Sequence, residues 1–321
     1  MNNKINKKLT FLLLIKERRE FTLRFFSYLN KVKFPFKIFI ADGSKKNISN
    51  EHLDFLKLSK IDFTYKKFPF DKNYNIFQKK IVDSLKLIKS EYVMLFSDDD
   101  FPIIYSINKL LLFLEKQKSY IACGGFAFNF DILNKAIVKS ELYGHPINFS
   151  KMMTANSNNM NSKKDRIIEY LNVMENSWHY VFRTKILIKN YQITQRRKLI
   201  FSNIDFYDYH QDLINFNSGK IKKIIIPTLL HQFHNKSAIS ERLGHEKLIT
   251  NEFYKSDVSK LIHEVKNLLK IDIKKIHKIF NQSKIFDKKK NSSKHQKYSL
   301  KNRIYKSISN FKPLRIFYIF L

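Results

Sequence analysis

Three consecutive carboxylates, Asp98, Asp99 and Asp100, close the stretch EYVMLFSDDDF at residues 91–101. Like charges packed this closely repel one another, which raises their affinity for protons or for a cation. A hard divalent ion suits a carboxylate-rich site, and Mg2+ or Mn2+ in such a site keeps waters and takes up substrate phosphates. The alternative is a helix start: Asp is an ordinary N-cap and first-turn residue, and Pro102 followed by the apolar run 103–114 fits a helix. One Asp suffices for a cap, and three point to a cation.

The elements that must position these acids come next. Tyr92 to Phe96 runs through aromatic, β-branched and aliphatic residues without a polar break, the pattern of a strand buried on both faces. Such a strand delivers the triplet to one sheet edge. Alternation along an extended backbone then predicts Asp98 and Asp100 on one side and Asp99 on the other. A second strand, FKIFIA at 36–41, stops at Asp42, Gly43 and Ser44. Asp-Gly-Ser is a good turn in its own right, and it also leaves a carboxylate at a strand end.

The remaining elements alternate. A strand at 9–15 precedes a helix at 17–32, and a short strand at 61–65 precedes a helix at 74–89. This order predicts an α/β fold with a mostly parallel central sheet flanked by helices, in which ligands bind beyond the carboxyl ends of strands. Downstream lie a strand at 120–130, with Gly124 and Gly125 marking a bulge, and a polar Asn/Ser-rich stretch at 144–162 that reads as a long lid-like loop. A helix at 165–175, a strand at 178–182 and a helix from Thr184 follow. Then come a helix at 205–216 stopped by Gly219 and a strand at 221–230 running into His231, Gln232, Phe233 and His234.

The chain has 321 residues and a formal net charge of +32, from 60 Lys and Arg against 28 Asp and Glu. That excess calls for an anionic partner: nucleic acid, an anionic membrane surface or a phosphorylated substrate. The single cysteine, Cys123, excludes a disulfide framework and a cysteine zinc site. Neither a cleavable leader nor a run of about 18 apolar residues is visible, so the expected location is the cytoplasm. From residue 251 the composition shifts to Lys-rich helical segments, dividing the chain into a domain at 1–250 and a basic helical extension at 251–321. Within the extension, 299–321 places Ile304, Ile308, Phe311, Leu314, Phe317 and Phe320 roughly along one helical face. That fits a peripheral anchor on an anionic membrane, at the inner face of the cell membrane, or a helix packed on the main domain.

Taken together, ADGS at 41–44, SDDDF at 97–101, IIEYLNV to WHYVFRT across 167–184 and DYHQDLINFNSGKI at 208–221 resemble the bacterial GT-A-fold, family 2-like glycosyltransferases over roughly residues 9–240. The resemblance implies a Rossmann-like GT-A fold, a nucleotide sugar donor, a glycan or lipid-linked acceptor and a Mn2+ or Mg2+ cofactor. It assigns Asp42 to the nucleotide base, Asp98 and Asp99 to the nucleotide sugar, and Asp98, Asp100 and His234 to the metal. Asp208 takes the place of the catalytic base. Two departures are visible: Tyr207 stands where relatives have Glu before the base, and IKERRE at 15–20 replaces a Pro-Thr-Tyr-Asn-Arg-like loop.

Transfer of a sugar from a nucleoside diphosphate needs neutralisation of the leaving diphosphate and removal of a proton from the acceptor hydroxyl. A divalent ion does the first and a carboxylate the second, and a single displacement inverts the anomeric centre. Asp208 is also placed to cap its helix, and Asp205 or Asp212 could take its role. A lone His such as His234 at a strand end is more often a surface or core residue than a ligand, and only its setting makes the two readings even. A nucleic-acid-binding protein is the reading from another class, but the basic residues are dispersed and carry no recognised motif, so nucleic acid is not the expected partner. A nucleotidyltransferase would need a Gly-rich phosphate loop, for which 6 glycines leave little material.

Overall fold

Strand β1 (Leu9–Ile15) is apolar along both faces except at Thr10, and every one of its residues is buried. Its alternate side chains enter two separate cores. Leu9, Phe11, Leu13 and Ile15 face one, while Leu12 and Leu14 face the other, which requires helices on both sides of the sheet. The computed structural model describes residues 3–47, 50–58, 61–133, 145–152, 154–232 and 251–270, together with 272, 274 and 276.

After the single turn α1 (Asn3–Asn6) and β1, the chain continues through α2 (Arg19–Lys31), β2 (Lys37–Asp42), α3 (Asn50–Leu58) and β3 (Phe63–Lys67). Then follow α4 (Tyr74–Leu87), β4 (Tyr92–Phe96), β5 (Asp100–Pro102) and α5 (Ile104–Lys116). The later elements are β6 (Tyr120–Leu133), β7 (His145–Met152), α6 (Lys163–Val173), β8 (Val181–Arg183), α7 (Thr184–Arg197), α8 (Ile204–Ser218) and β9 (Lys220–Gln232). A helix at Lys255–Leu269 ends the regular structure among the described residues.

One sheet runs in the order β3-β2-β1-β4-β8-β6-β9-β5, with β7 added on β6. The first four strands are mutually parallel, and the chain beyond β4 adds antiparallel pairs as well as the parallel pair β6–β9. This is the expected α/β architecture. α2, α3 and α5 cover one face, where Phe25, Phe26, Leu29, Leu110 and Leu114 pack on Phe11 and Phe96. Burial of each such side chain is worth roughly 1.5–3 kcal/mol. α4, α6, α7 and α8 cover the other face, and the helix Lys255–Leu269 joins that layer through Leu261, Ile262 and Val265. The domain boundary at 250/251 abuts residues 233–250, and that stretch, like the 299–321 segment, lies outside the described residues.

Helix starts follow their caps. Asn73 Oδ1 accepts from Ile76 N at α4, Ser162 Oγ from Asp165 N at α6, and Asn203 Oδ1 from Asp205 N at α8. Of the polar stretch 144–162 expected as a lid-like loop, the described residues 154–162 lie outside helices and strands, but the first part differs. Residues 145–152 form β7 against β6, because backbone pairing there satisfies the donors and acceptors that a loop would leave to water.

Candidate active site at the carboxyl edge of the sheet

β1, β2 and β4 are parallel, so residues that follow them share one edge. At that edge β4 ends at Phe96, and Asp98 and Asp99 occupy a tight turn before β5 begins at Asp100. The turn breaks the alternation predicted for an unbroken strand. Asp98 is held by Arg18 and Thr22, Thr22 Oγ1 donating at 2.8 Å. Arg18 also donates to Asp99, from Nη1 to Oδ2 at 2.8 Å.

Asp100 takes its geometry from the β-ladder. It lies opposite His231 in the antiparallel β5–β9 pair, and Gln232 N donates to Asp99 O at 3.0 Å across the same pair. His231 Nδ1 sits 2.7 Å from Asp100 Oδ1, and His179 Nδ1 is 3.7 Å from Asp100 Oδ2. Burial works against a charged His231, but the Asp100 carboxylate, by charge and hydrogen bond and with Asp99 behind it, holds its pKa above the usual histidine value. Asp99, Asp100 and His231 can bring one ligand atom each to within 4.8 Å of one another. Asp100 Oδ2 and His231 Nε2 are buried and have no hydrogen-bond partner among the described residues. The carboxylates of Asp99 and Asp100 with the His231 imidazole, among which Asp100 Oδ2 and His231 Nε2 are the atoms without a hydrogen-bond partner, fit a divalent cation, and the imidazole suits Mn2+ better than Mg2+.

Asp42 is fully buried at the end of β2. Its Oδ1 accepts from Ser44 N at 2.8 Å and its Oδ2 from the Tyr65 hydroxyl at 2.8 Å, with Lys67 Nζ 3.7 Å away. Burial would raise its pKa, but the hydrogen bonds from Ser44 and Tyr65 and the Lys67 charge bring it below the usual carboxylate value. Beside it, Gly43 leaves room for Asp71, whose carboxylate would stand 2.2 Å from a Cβ at that position. Asp71 pairs with Lys80 in the interior, and Lys80 Nζ also donates to Ile15 O at 3.2 Å.

Asp208 lies on α8, where its oxygens accept from the Tyr74 hydroxyl at 3.1 Å and from Asn176 Nδ2 at 3.0 Å. One turn on, Asp212 accepts from the Ser177 hydroxyl and backbone N–H. Burial, with the Asp208 charge adding to it, pushes the Asp212 carboxyl up to about 7. Asp205 is buried in the first turn of the same helix. A small cavity is bounded by Asn176, Ser177, Trp178, Tyr191, Asp208 and Asp212. The segment 176–179 thereby links both groups of acids: Asn176 meets Asp208, Ser177 meets Asp212, and His179 approaches Asp100.

The structure therefore brings Asp99 together with Asp100, sets Asp98 against Arg18, and places Asp42 at the same sheet edge and Asp208 at the far end of the 176–179 segment. His234 lies outside the described residues. His231, three residues earlier, Arg18, His179, Asn176, Ser177 and Lys80 escape a reading of the sequence. The HQFH run at 231–234 and the WHYVF run at 178–182 were visible as signals, but only pairing across β5 and β9 selects His231.

No family profile and no curated protein matches the sequence. Solved structures do. Residues 1–349 of S. aureus TarS in complex with UDP-GlcNAc match with a TM-score of 0.53 at 11% identity, over 86% of this chain and 71% of that one. The same portion of TarS with UDP matches with a TM-score of 0.50 at 12% identity, over 86% and 70%. Against a longer S. aureus TarS chain the match spans 43% of that protein's length, with a TM-score of 0.47 at 12% identity over 81% of this chain. The likeness is one of fold: the chain carries a GT-A-like glycosyltransferase fold.

Proposed function

We propose that this chain is a glycosyltransferase that moves a sugar from a nucleoside diphosphate sugar to a hydroxyl acceptor by a single, inverting displacement. The observation that carries this reading is the 176–179 segment, which ties the Asp99–Asp100–His231 group to Asp208 at the carboxyl edge of a GT-A-like fold. Asp99, Asp100 and His231 would hold a Mn2+ or Mg2+ ion, in place of the set Asp98, Asp100 and His234. Bound there, the ion supplies Lewis-acid neutralisation of the leaving diphosphate.

The chain's own residues supply the rest. Asp42, with Asp71 and Lys80 behind it, forms the wall for the nucleotide, and Asp98 keeps Arg18 at the edge where phosphates would enter. Asp208, held by Tyr74 and Asn176, is the base that takes the proton from the acceptor hydroxyl, its carboxylate prevented from rotating by the two donors. Trp178, stacked on Phe77, lines the small cavity beside Asp208 and Asp212. TarS has been seen with UDP-GlcNAc and with UDP, which makes a uridine diphosphate sugar the first donor class to try.

The acceptor in this reading is a glycan or lipid-linked intermediate of a cell-surface polysaccharide. The net charge of +32 favours an anionic membrane nearby, with 299–321 as the contact. No described helix is long and apolar enough to cross a membrane. A thermal-shift screen of UDP-, GDP-, CMP- and dTDP-sugars with Mn2+ or Mg2+ tests the donor reading, since a ligand that binds the native state raises its melting temperature. Selective stabilisation by one nucleotide class is expected. Absence of any response, with salt-dependent binding to nucleic acid instead, would overturn it.

A further inference from the structure

The acidic turn already contains a cation. Glu17 adopts the left-handed region at φ 58°, and the bend puts Arg18 at the N-cap of α2 with its guanidinium turned to the turn after β4. From there Nη1 donates to Asp99 Oδ2 at 2.8 Å, Nη2 lies 3.4 Å from Asp99 Oδ1, and Nη2 also donates to Asp98 Oδ1. The Arg18 side chain is 20% exposed, while those of Asp98 and Asp99 are 0% and 4% exposed. Asp98 is thus satisfied by Arg18 and Thr22, and Asp99 by Arg18 on both oxygens. Asp100 is not: His231 engages one oxygen, and the other, buried and 3.7 Å from His179 Nδ1, has no hydrogen-bond partner among the described residues.

We infer that Arg18 is a resident counter-ion that competes with a divalent cation for Asp99 and makes metal binding depend on the donor diphosphate. The inference rests on the reading of Asp99, Asp100 and His231 as a cation site. A divalent ion reaching Asp99 meets a guanidinium on the same carboxylate, and two like charges sharing one partner in a half-buried site repel strongly. An arriving diphosphate offsets that repulsion, since its oxygens accept from the planar guanidinium fork in place of Asp99. Metal and diphosphate then bind with positive coupling, and by linkage each strengthens the other by the same factor. Arg18 in this role is a positioning residue. It sets the charge on the turn and selects the order in which cation and nucleotide settle.

The test is direct titration of Mn2+ into the full chain, followed by the electron paramagnetic resonance signal of free Mn2+, with and without UDP or GDP. Arg18→Gln should bind Mn2+ about tenfold or more tightly than the wild type in the absence of nucleotide, and should lose most of the tightening that the nucleotide brings. Should Arg18→Gln fail to fold, the R18Q/D98N double variant removes the buried pair as a pair, and its Mn2+ affinity should exceed that of D98N alone by a similar factor. Asp100→Asn should weaken Mn2+ binding in every background. Equal or weaker binding in the Arg18 variants, or no Mn2+ binding in any protein, overturns the inference. If UDP or GDP stabilises the wild type while Mn2+ affinity ignores Arg18, the counter-ion role falls and the donor site stands. If no nucleotide binds while Arg18→Gln still tightens Mn2+, the counter-ion role stands and the donor reading falls.

Discussion

Asp100 and His231, 131 residues apart in sequence, face each other across the β5–β9 ladder with His231 Nδ1 2.7 Å from Asp100 Oδ1. The pair exists because a three-residue strand, β5, leaves the acidic turn and pairs antiparallel with the end of β9. One strand end thus supplies the carboxylate and another the imidazole. The consequence is a buried oxygen and a buried nitrogen that still lack hydrogen-bond partners among the described residues, and the proposed cation site rests on them.

Asp100→Asn and His231→Ala should each lower sugar transfer by about a hundredfold or more, on the scale of losing one group that stabilises charge in the transition state. Circular dichroism should show both variants folded. Initial rates over a Mn2+ series check this, and transfer unchanged in both variants would remove the pair from the site.

Asp208→Asn preserves the shape of the side chain but not its basicity. Transfer should fall by about 10²- to 10⁴-fold in kcat, the usual worth of a general base, with the donor KM little changed. Full activity would move the base to Asp205 or Asp212.

The buried Asp212 carboxyl makes a prediction about stability and pH. Its folded value of about 7 lies above the ordinary aspartate value near 4, so between these limits the native state keeps a proton that the unfolded chain has released. Stability should therefore fall as pH rises from about 4 to about 7, by on the order of a few kcal/mol, and then level off as far as this group is concerned. Asp212→Asn should flatten that part of the curve. Urea denaturation from pH 4.5 to 8 measures it, and an unchanged slope in the variant would show that other groups set it.

Lys80 and Asp71 form an ion pair whose side chains are 1% and 2% exposed. Burial pushes the Lys80 ammonium down and the Asp71 carboxyl up, so each depends on the other's charge. Lys80→Met should cost about 3–5 kcal/mol by stranding Asp71, while the K80M/D71N double variant should cost less than the single change. Denaturant midpoints for the full cycle decide it; a double variant as unstable as the sum of the singles would show no coupling.

Gly43→Ala probes the same corner from the backbone side. A Cβ there would lie 2.2 Å from Asp71 Oδ2, so the carboxylate and its Lys80 partner must shift, at about 1–3 kcal/mol. Chemical denaturation should show the loss, and binding of a nucleoside diphosphate sugar should weaken with it. A neutral substitution would mean that Asp71 moves freely.

Local composition determined much of this protein. The unbroken apolar runs of β1, β2 and β4 declared buried strands, the spacing of α4 and α8 declared helices, and Asn73, Ser162 and Asn203 capped helices where their sequences allowed. The acidic triplet and Asp42 were placed at strand ends by the same reasoning, because strand ends and turn residues are short-range features. Partner choice was decided by tertiary structure alone. The alternation expected at 98–100 assumed an extended backbone, and the turn at Asp98 and Asp99 cancelled it, giving Asp98 to Arg18 and leaving Asp99 beside Asp100. His231 became part of the edge through a register between strands more than a hundred residues apart, and Ser177 raised no signal until α8 brought Asp212 against it. Periodicity reports which face of an element is buried; it carries no information on which distant element covers that face, and the chemistry of this site lies in those distant pairings.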